Sequence, residues 1–538
     1  MSASTPVTDV IELSMKELQS ALAHAKELGL SGKELENLEA LVESYAFLVG
    51  EIGNKKASIK RLRQLLFGAQ TETKKNVKRS AGKVSGTGAK EKAKKKRKGH
   101  GRNGAAAYTG AGKVKVSHKS LRPGDPCPGS QCRGKVYRKD ARRIVRIRGS
   151  APFVATVYEQ DCLRCHLCGG VFTAQTPPEV GEKKFDETVA SMAALLRYGN
   201  GLPMNRIAEL QEVIGMPFPA STQWELMQDA AQKIGPAHLE LIRQAAQGEV
   251  LYNDDTSMRI LDFLVEKRKR EERGEKAPKR SGTFTSGIVS ESSSGRRIVL
   301  YFTGQQHAGE NLEKVLAERA SGLDPPIQMC DGLERNAPGE MKTILSNCLV
   351  HARRHFVDVA PGFPEEVEHV IDELSLVYEH DAWARSQEMS AEERLSFHQG
   401  KSAPVMKRLK IWMKDLLAEK KVEPNSGLGK AIGYMLKRWK TLTLFLRKPG
   451  APLDNNLTER MLKRAILHRK GSLFYKTANG ARVGDLYMSL IATAKLTKAD
   501  PFDYLNELQR RAEEVAEKPS EWMPWNYRET LARLPTTS

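Results

Sequence analysis

The chain has 538 residues, more than one compact domain normally holds, and 40% of them are hydrophobic. These values fit a soluble protein with a real core. They exclude a wholly disordered chain, and no apolar run is long enough for a transmembrane helix. Lys and Arg outnumber Asp and Glu by 86 to 65, which gives a net charge of +21. A surplus of this size indicates a polyanionic partner, most simply nucleic acid.

Residues 1–70 predict a helical arm. From Leu35 to Leu66 apolar residues recur at steps of three and four, broken by Lys56 and Arg63, which is typical of a coiled coil that brings copies of the chain together. A helical hairpin that folds on itself is the alternative. The amino terminus lacks a basic start followed by an apolar run, so we expect no secretory signal and a cytoplasmic protein.

Residues 71–112 are rich in Lys, Gly, Ala and Ser and nearly empty of large apolar residues. Between Lys74 and Arg102, 13 basic residues face one acid, Glu91, so this stretch supplies 12 of the 21 net charges. Such a composition predicts a flexible basic linker. The linker is either a contact for phosphates or a solvated spacer.

Residues 113–180 hold five of the seven cysteines and predict a zinc-ribbon-like domain. Two cysteine turns flank a strand-like stretch, as in a zinc ribbon, and a reducing compartment favours metal over a disulfide. Free structural thiols are the alternative. Cys162 could replace Cys168 as a ligand, but the glycines at 169–170 favour Cys168. The expected zinc ligands are Cys127, Cys132, Cys165 and Cys168.

Residues 181–245 are helical in pattern, with a turn at Gly215 to Pro219 and a second helix that begins near Ser221. This is helix-turn-helix-like and suggests DNA contact, although plain helical hairpins have the same pattern.

The first part of a central domain, residues 246–360, has the pattern strand, strand, strand, helix, strand, then a short strand running into a helix. This is the order of a ribonuclease H-like sheet, in which the first and fourth strands are neighbours. The charged stretch 266–280 then lies at a lengthened hairpin tip between the first two strands.

Two aspartates lie on those neighbouring strands. Asp254 shares a strand face with Tyr252, and Asp331 ends a strand that carries Met329. A carboxylate on an apolar strand face is costly unless it is paired or binds a metal, and Mg²⁺ prefers carboxylate oxygens. The alternative is that each aspartate only caps a turn, as Asp-Gly at 331–332 often does.

A third acid, Glu459, lies at the border of the apolar stripe of a helix that Asp454 or Asn455 caps. Lys463 follows four residues later, so an ordinary surface ion pair is the alternative. Residues 361–450 predict an all-helical insertion, 451–515 the remaining core helices, and 516–538 a C-terminal tail.

Several runs make a resemblance specific, among them LYNDDTSMRIL, CDGLERN, CLVHARRHF, PLDNNLTERMLKRAILHRKGSLF and ARVGDLYMSLIATAKL. They resemble the transposases of insertion-sequence family sixty-six, over most of residues 35–510. The resemblance implies a multidomain α+β protein with a coiled coil, a zinc ribbon and a ribonuclease H-like core, in which Asp254, Asp331 and Glu459 are the catalytic acids. Where the family usually has Asp-Glu-Thr, this chain has Asp254-Asp255-Thr256, and Asp255 is expected on the opposite strand face.

The resemblance implies cleavage of element ends and joining of their 3′ hydroxyls to target DNA, with two Mg²⁺ or Mn²⁺ ions on the three acids. Expected partners are double-stranded DNA, further copies of the chain and small companion proteins, in a nucleoid-associated setting without a membrane. The alternatives are a ribonuclease H-like nuclease or resolvase, and a DNA-binding regulator without activity. The expected DNA contacts are Arg353, Arg354, Arg460, Lys463, Arg464 and Lys470.

Overall fold

The computed structural model describes residues 120–128, 132–137, 152–164, 171–175, 177, 183–274, 280 and 282–534, together with 20, 24, 32–35, 38 and 42. The chain divides into two units, residues 1–84 with 360–364, and residues 85–359 with 365–538. In the first unit residues 33–35, 38 and 42 are helical. Most of the heptad seam and the whole basic linker lie outside the described residues, so the coiled coil and the linker stay predictions.

The second unit contains a short hairpin, a five-stranded sheet and helices around that sheet. The strands are β1 Cys162–Arg164, β2 Val171–Thr173, β3 Val250–Ser257, β4 Phe284–Glu291, β5 Arg297–Gly304, β6 Ile327–Cys330 and β7 Ile344–Asn347. The first helices are α1 Glu187–Ala194, α2 Met204–Val213, α3 Ala220–Ala245, α4 Leu261–Glu272, α5 Ala308–Leu316 and α6 Leu349–Val359. The later helices are α7 Pro364–Ser386, α8 Ala391–Ala418, α9 Gly427–Lys437, α10 Trp439–Leu442, α11 Asn456–Ser472, α12 Ala478–Leu496, α13 Pro501–Arg510, α14 Ala512–Glu517 and α15 Tyr527–Arg533.

The large sheet has the strand order β5-β4-β3-β6-β7. β3, β4 and β5 are antiparallel, whereas β6 and β7 run parallel to β3. The prediction that the first and fourth strands are neighbours is therefore confirmed, since β3 pairs with β6. The protein is a mixed α/β chain of several parts.

The edge of the sheet at β5 is closed by side chains of α12. The backbone N–H groups of Val299, Tyr301 and Thr303 point away from β4 and donate to α12. Their acceptors are spaced four residues apart on that helix: Thr493, Ser489 and Asp485. A covered edge cannot pair with a second chain, so the sheet ends here.

The connection between β3 and β4 differs from the sequence prediction. Residues 266–272 of the charged stretch lie in α4, none of whose residues is buried, rather than in a hairpin tip, and residues 275–279 lie outside the described residues. Arg270 pairs with Glu266 one turn earlier at 2.9 Å, and Lys267 lies 3.8 Å from Glu271. Such pairs stabilise a solvated helix that has no apolar stripe, which explains why the periodicity gave no sign of it.

The predicted helix-turn-helix segment has the expected turn, with Gly215 at φ +78° between α2 and α3. However, α3 extends to 26 residues and buries Met227, Ile234 and Leu241 along its length. It packs on α1, α12, α13 and α14 and is thus part of the core layer. DNA contact by this segment stays a prediction.

The C-terminal residues are a packed layer as far as residue 534, not the tail expected from the sequence. Trp522, Met523 and Tyr527 are buried, and the hydroxyl of Tyr504 donates to the backbone oxygen of Trp522 at 2.9 Å. Burial of large aromatic side chains explains why this polar-looking stretch folds. Residues 361–450 are helical wherever they have regular structure, as predicted. No described helix has the length and apolarity needed to cross a membrane.

Candidate active site

Asp254 and Asp331 lie toward the same end of β3 and β6, two neighbouring inner strands of the sheet. In the parallel pair β3–β6, Val250 lies opposite Ile327 and Tyr252 opposite Met329. The same register, continued two residues past the last paired position, sets Asp254 beside Asp331. Two carboxylates on neighbouring strands repel each other unless a cation or a proton intervenes.

The turn after β6 holds Asp331 through a buried polar network. Asn336, which is fully buried, donates to Asp331 Oδ1, and so does the backbone N–H of Leu333 at 3.1 Å. The backbone oxygen of Asn336 accepts from Asn253 at 2.9 Å and from Gln328 at 2.6 Å. Asp331 thus does cap its own turn, and that turn is tied to the residue before Asp254.

Glu459 approaches the same place from α11, at the end of a long insertion. The Asn455 side chain donates to the backbone oxygen of Asn253 at 3.1 Å, which anchors the start of α11 on β3. Asp454 Oδ1 accepts from the N–H of Asn456 at 3.1 Å, as the predicted helix cap requires. Glu459 lies one turn further on, close enough to Asp254 for its charge to raise the pKa of that aspartate.

The electrostatics of the three acids are coupled. Burial, the largest cause, and the negative charges of Asp331, Asp255 and Glu459 together raise the pKa of Asp254 to about 7, against one opposing hydrogen bond from the Asp255 N–H. Glu459 Oε1 is buried and accepts no hydrogen bond, and His351 Nε2 lies 3.6 Å from it, beyond hydrogen-bond distance. A buried oxygen without a donor among coupled carboxylates is a place that a divalent cation would satisfy.

The carboxylates are not drawn tightly together. Within the part of the chain that the structure describes, no three or more His, Cys, Asp or Glu side chains already surround a common metal position. The three acids are held by separate elements, Asp254 by β3, Asp331 by the turn after β6 and Glu459 by α11.

Tyr434 in α9 and Arg438 just after α9 clamp the turn that follows Asp331, and the sequence analysis missed both. Arg438 donates to the backbone oxygen of Gly332 at 2.9 Å and stacks on the ring of Tyr434 at 4.1 Å. A Cβ atom at Gly332 would meet both of these side chains. The helical insertion is therefore part of the site, because it holds the loop that carries Asp331.

Asp255 lies on the opposite face of β3, as expected. Its carboxylate accepts from His307 Nδ1 at 2.8 Å and pairs with Arg335 at 3.3 Å. Arg335 belongs to the turn after Asp331. This ion pair therefore links that turn to the face of β3 opposite Asp254.

The basic residues of α11 divide into two groups. Arg460, Lys463 and Lys470 are exposed, on the side of the helix that carries Glu459. Arg464 instead turns inward, toward the backbone oxygen of Gly199 at 3.5 Å. As DNA contacts, Arg464 and the three exposed residues stay predictions. Arg353 and Arg354 lie in α6 and are partly buried.

Cys127 and Cys132 form a tight knuckle. The N–H of Cys127 donates to the oxygen of Gly134 at 2.8 Å, and Pro126 bridges to Lys135. A hydrogen bond from the Gly134 N–H, with one from Cys127, lowers the pKa of the Cys132 thiol. A thiol that ionises readily suits zinc. Cys165 and Cys168 lie outside the described residues.

A family model described as Transposase IS66 family matches residues 183–483, more than half of the chain, and the chain belongs to this family. Among curated proteins of Sinorhizobium fredii, the chain is similar to the uncharacterized protein y4jD, with 36% identity over 34% of this chain and 36% of that protein. It is also similar to the uncharacterized protein y4hP, with 26% identity over 62% of this chain and 61% of that protein. The chain thus spans less than two thirds of the length of either relative. The matched family region contains Asp254, Asp331 and Glu459.

Proposed function

We propose that the chain is a DDE-type DNA transposase with a ribonuclease H-like core. The observation that carries the proposal is the approach of three acids from three distant segments, Asp254 and Asp331 on paired strands and Glu459 on α11. The strand order β5-β4-β3-β6-β7 supports the core assignment, because it makes the first and fourth strands neighbours. The IS66 family match supports the reaction class.

The residues present fit divalent cations. Asp254, Asp331 and Glu459 would hold them, because hard oxygen ligands suit Mg²⁺ or Mn²⁺ and the buried Oε1 of Glu459 has no donor. When bound, a pair of such ions supplies activation of the attacking oxygen and stabilisation of the leaving oxygen.

The protein's own groups position the substrate. Arg460, Lys463 and Lys470 form an exposed basic line along α11 that would hold DNA phosphates beside Glu459. His351 lies 3.6 Å from Glu459 and would steady that carboxylate as it turns inward. The Arg438–Gly332 contact would keep Asp331 in register with Asp254.

The chemistry consists of two displacements at phosphorus. First, a water oxygen bonds to the phosphorus at an element end and the bond to the 3′ oxygen breaks, which frees a 3′ hydroxyl. That hydroxyl then bonds to a phosphorus of target DNA and displaces the target's own 3′ oxygen. One phosphodiester bond replaces another in this second step, so no energy cofactor is needed.

The test is a pair of assays with the full-length protein in Mn²⁺ or Mg²⁺. We expect metal-dependent nicking of a supercoiled plasmid and joining of a labelled oligonucleotide with a 3′ hydroxyl to that plasmid. Glu459→Gln should abolish both activities and leave DNA binding intact. Nicking without joining would favour a nuclease, and nicking that is unchanged in Glu459→Gln would remove the glutamate from the site.

We also propose that Cys127, Cys132, Cys165 and Cys168 hold a structural zinc ion. The lowered pKa of the Cys132 thiol and the hydrogen bond from the Cys127 N–H to the oxygen of Gly134 support this assignment. Elemental analysis of the purified protein should find about one zinc per chain, and Cys132→Ser should lose it. Retained zinc in that variant would contradict the ligand set.

A further inference from the structure

The chain leaves α11 through a strained turn. Leu473 has φ +67° and ψ −40°, and the N–H of Phe474 donates to the oxygen of Ser472 at 2.8 Å, which defines a γ-turn. A positive φ strains the backbone of a leucine, whereas glycine adopts it freely. Strain of this kind persists where the surrounding structure imposes it, and it clusters at functional sites.

The strained turn presents apolar side chains to solvent. Leu473 is 64% exposed and Phe474 is 39% exposed. Leu467, on the outer side of α11, is also exposed. Single exposed apolar residues are ordinary, but two adjacent ones on a strained turn, with a third nearby, form a projecting apolar tip.

Backbone hydrogen bonds fix the residues at the start and just after the end of the tip. The N–H of Leu473 donates to the backbone oxygen of Arg469 at 2.8 Å, which closes the last turn of α11. After the tip, Tyr475 is buried, and its N–H donates to the oxygen of Arg259 at 2.8 Å. Arg469 also donates to the Thr256 hydroxyl at 3.1 Å, so the end of α11 is fixed on the end of β3.

Gly471 makes a close approach that holds this arrangement. A Cβ atom there would lie 2.5 Å from the backbone oxygen of Gly201. The residues just before the turn therefore pack directly against the loop that precedes α2.

The basic residues near the tip indicate which kind of partner it contacts. Arg259, Lys470 and Lys476 are exposed around it. None of the three forms an ion pair with another described residue. Lys470 also ends the basic line along α11. An apolar tip inside a ring of cations suits a partner that is anionic outside and apolar inside, which is the character of double-stranded DNA.

We propose that Leu473 and Phe474 are a wedge that enters a base step of DNA held along α11 and unstacks it. The inference rests on the proposed function and deepens it, because it assigns a deformation of the bound duplex. Helix rise puts Leu473 about 21 Å along α11 from Glu459, or roughly six base-pair steps. Unstacking at that distance would bend the duplex across the acids.

The experiment uses full-length protein and two short duplexes of the same sequence, one fully paired and one with two adjacent mismatches. Each carries 2-aminopurine beside the central step. Because a mismatch removes much of the unstacking cost, the protein should bind the mismatched duplex about tenfold more tightly. The 2-aminopurine fluorescence of that duplex should rise on binding.

The test variant is Leu473→Ser with Phe474→Ser, and the matched control is Ile411→Ser, an exposed apolar residue of α8. The double variant should lose the preference and the fluorescence rise, while it keeps its affinity for paired DNA and its circular dichroism. The control should behave as the wild type. A second variant, Leu473→Gly, relieves the backbone strain and should lose part of the preference without loss of thermal stability.

Three outcomes overturn the wedge. In the first, the protein binds both duplexes equally without a fluorescence rise, and the proposed function stands. In the second, the double variant changes only the oligomeric state in sedimentation, which assigns the tip to a second copy. In the third, the protein binds neither duplex, which would contradict both the wedge and the proposed function.

Discussion

The side chain of Asn455 donates to the backbone oxygen of Asn253 over 3.1 Å and joins two segments that are 202 residues apart. Asn253 precedes Asp254, and Asn455 lies one helical turn before Glu459. The bond therefore sets the spacing between the helix acid and the sheet acid. Asn455 is fully buried, and its N–H also approaches the sulfur of Cys348 at 3.3 Å.

Replacement of Asn455 by alanine should uncouple α11 from β3. Loss of a buried amide hydrogen bond costs about 1–3 kcal/mol of unfolding free energy. If Glu459 acts as proposed, its displacement by about 1 Å should lower nicking about 100-fold. The comparison is Asn456→Ala, the next residue, whose side chain is exposed. Equal nicking rates in the two variants would show that Asn455 does not position Glu459.

The sequence predicted the strands around the acids because their apolar residues follow strand patterns. It also predicted the pairing of the first and fourth strands, since the order of elements matched a known sheet. It could not predict the Asn455–Asn253 bond or the Arg438 clamp on Gly332. Both are contacts between polar residues that are far apart in the chain and carry no periodic signal.

The incorrect predictions also have physical causes. α4 is stabilised by charged pairs such as Arg270–Glu266 and not by a buried stripe, so its sequence resembled a loop. The last helices were taken for a tail because Trp522 and Tyr527 stand among polar residues. Their burial depends on partners such as Tyr504, whose ring lies 5.1 Å from that of Tyr527.

Gly332→Ala should disturb the site more than the fold. The added methyl would meet the hydroxyl of Tyr434 at 2.5 Å and the guanidinium of Arg438, and would displace these flexible groups rather than backbone. The Arg438 hydrogen bond to the Gly332 oxygen would be lost, at a cost of about 1 kcal/mol. We expect nicking to fall at least about tenfold as Asp331 loses its clamp.

The matched control for this variant is Gly433→Ala in α9, where a Cβ atom meets nothing within 4 Å. Alanine in a helix interior is favoured over glycine by about 1 kcal/mol, so this protein should be slightly more stable and fully active. Full nicking activity in Gly332→Ala would mean that the α9 clamp has no role in the reaction.

Divalent cations should stabilise the folded protein through the three acids. At about ten times the dissociation constant, Mg²⁺ or Mn²⁺ bound only to the native state adds about 1.4 kcal/mol. The increment should disappear in Asp254→Asn and persist in Glu392→Gln, an exposed acid at the start of α8. Thermal unfolding with and without Mn²⁺ measures it. An equal increment in all three proteins would place the ion elsewhere.

Asp485 should make stability depend on pH. It is buried, and it accepts from the N–H and the hydroxyl of Thr303, both at 2.6 Å. Burial raises its pKa to about 7, and the two hydrogen bonds only partly offset this. The folded chain therefore holds a proton that the unfolded chain has released above about pH 4. Stability from this group is greatest in acid and falls as pH rises from about 4 to 7.

Asp485→Asn should remove this dependence, because the amide can keep both contacts with Thr303 and carries no charge. The difference in unfolding free energy between variant and wild type should be near zero at about pH 4 and grow to several kcal/mol by about pH 8, in favour of the variant. Urea unfolding across this range measures it, with Asp415→Asn, an exposed acid of α8, as the control. A difference that stays constant over this range would show that Asp485 is ionised in the folded protein, and its contacts with the β5 edge would then be charge-assisted bonds that stabilise α12 at neutral pH.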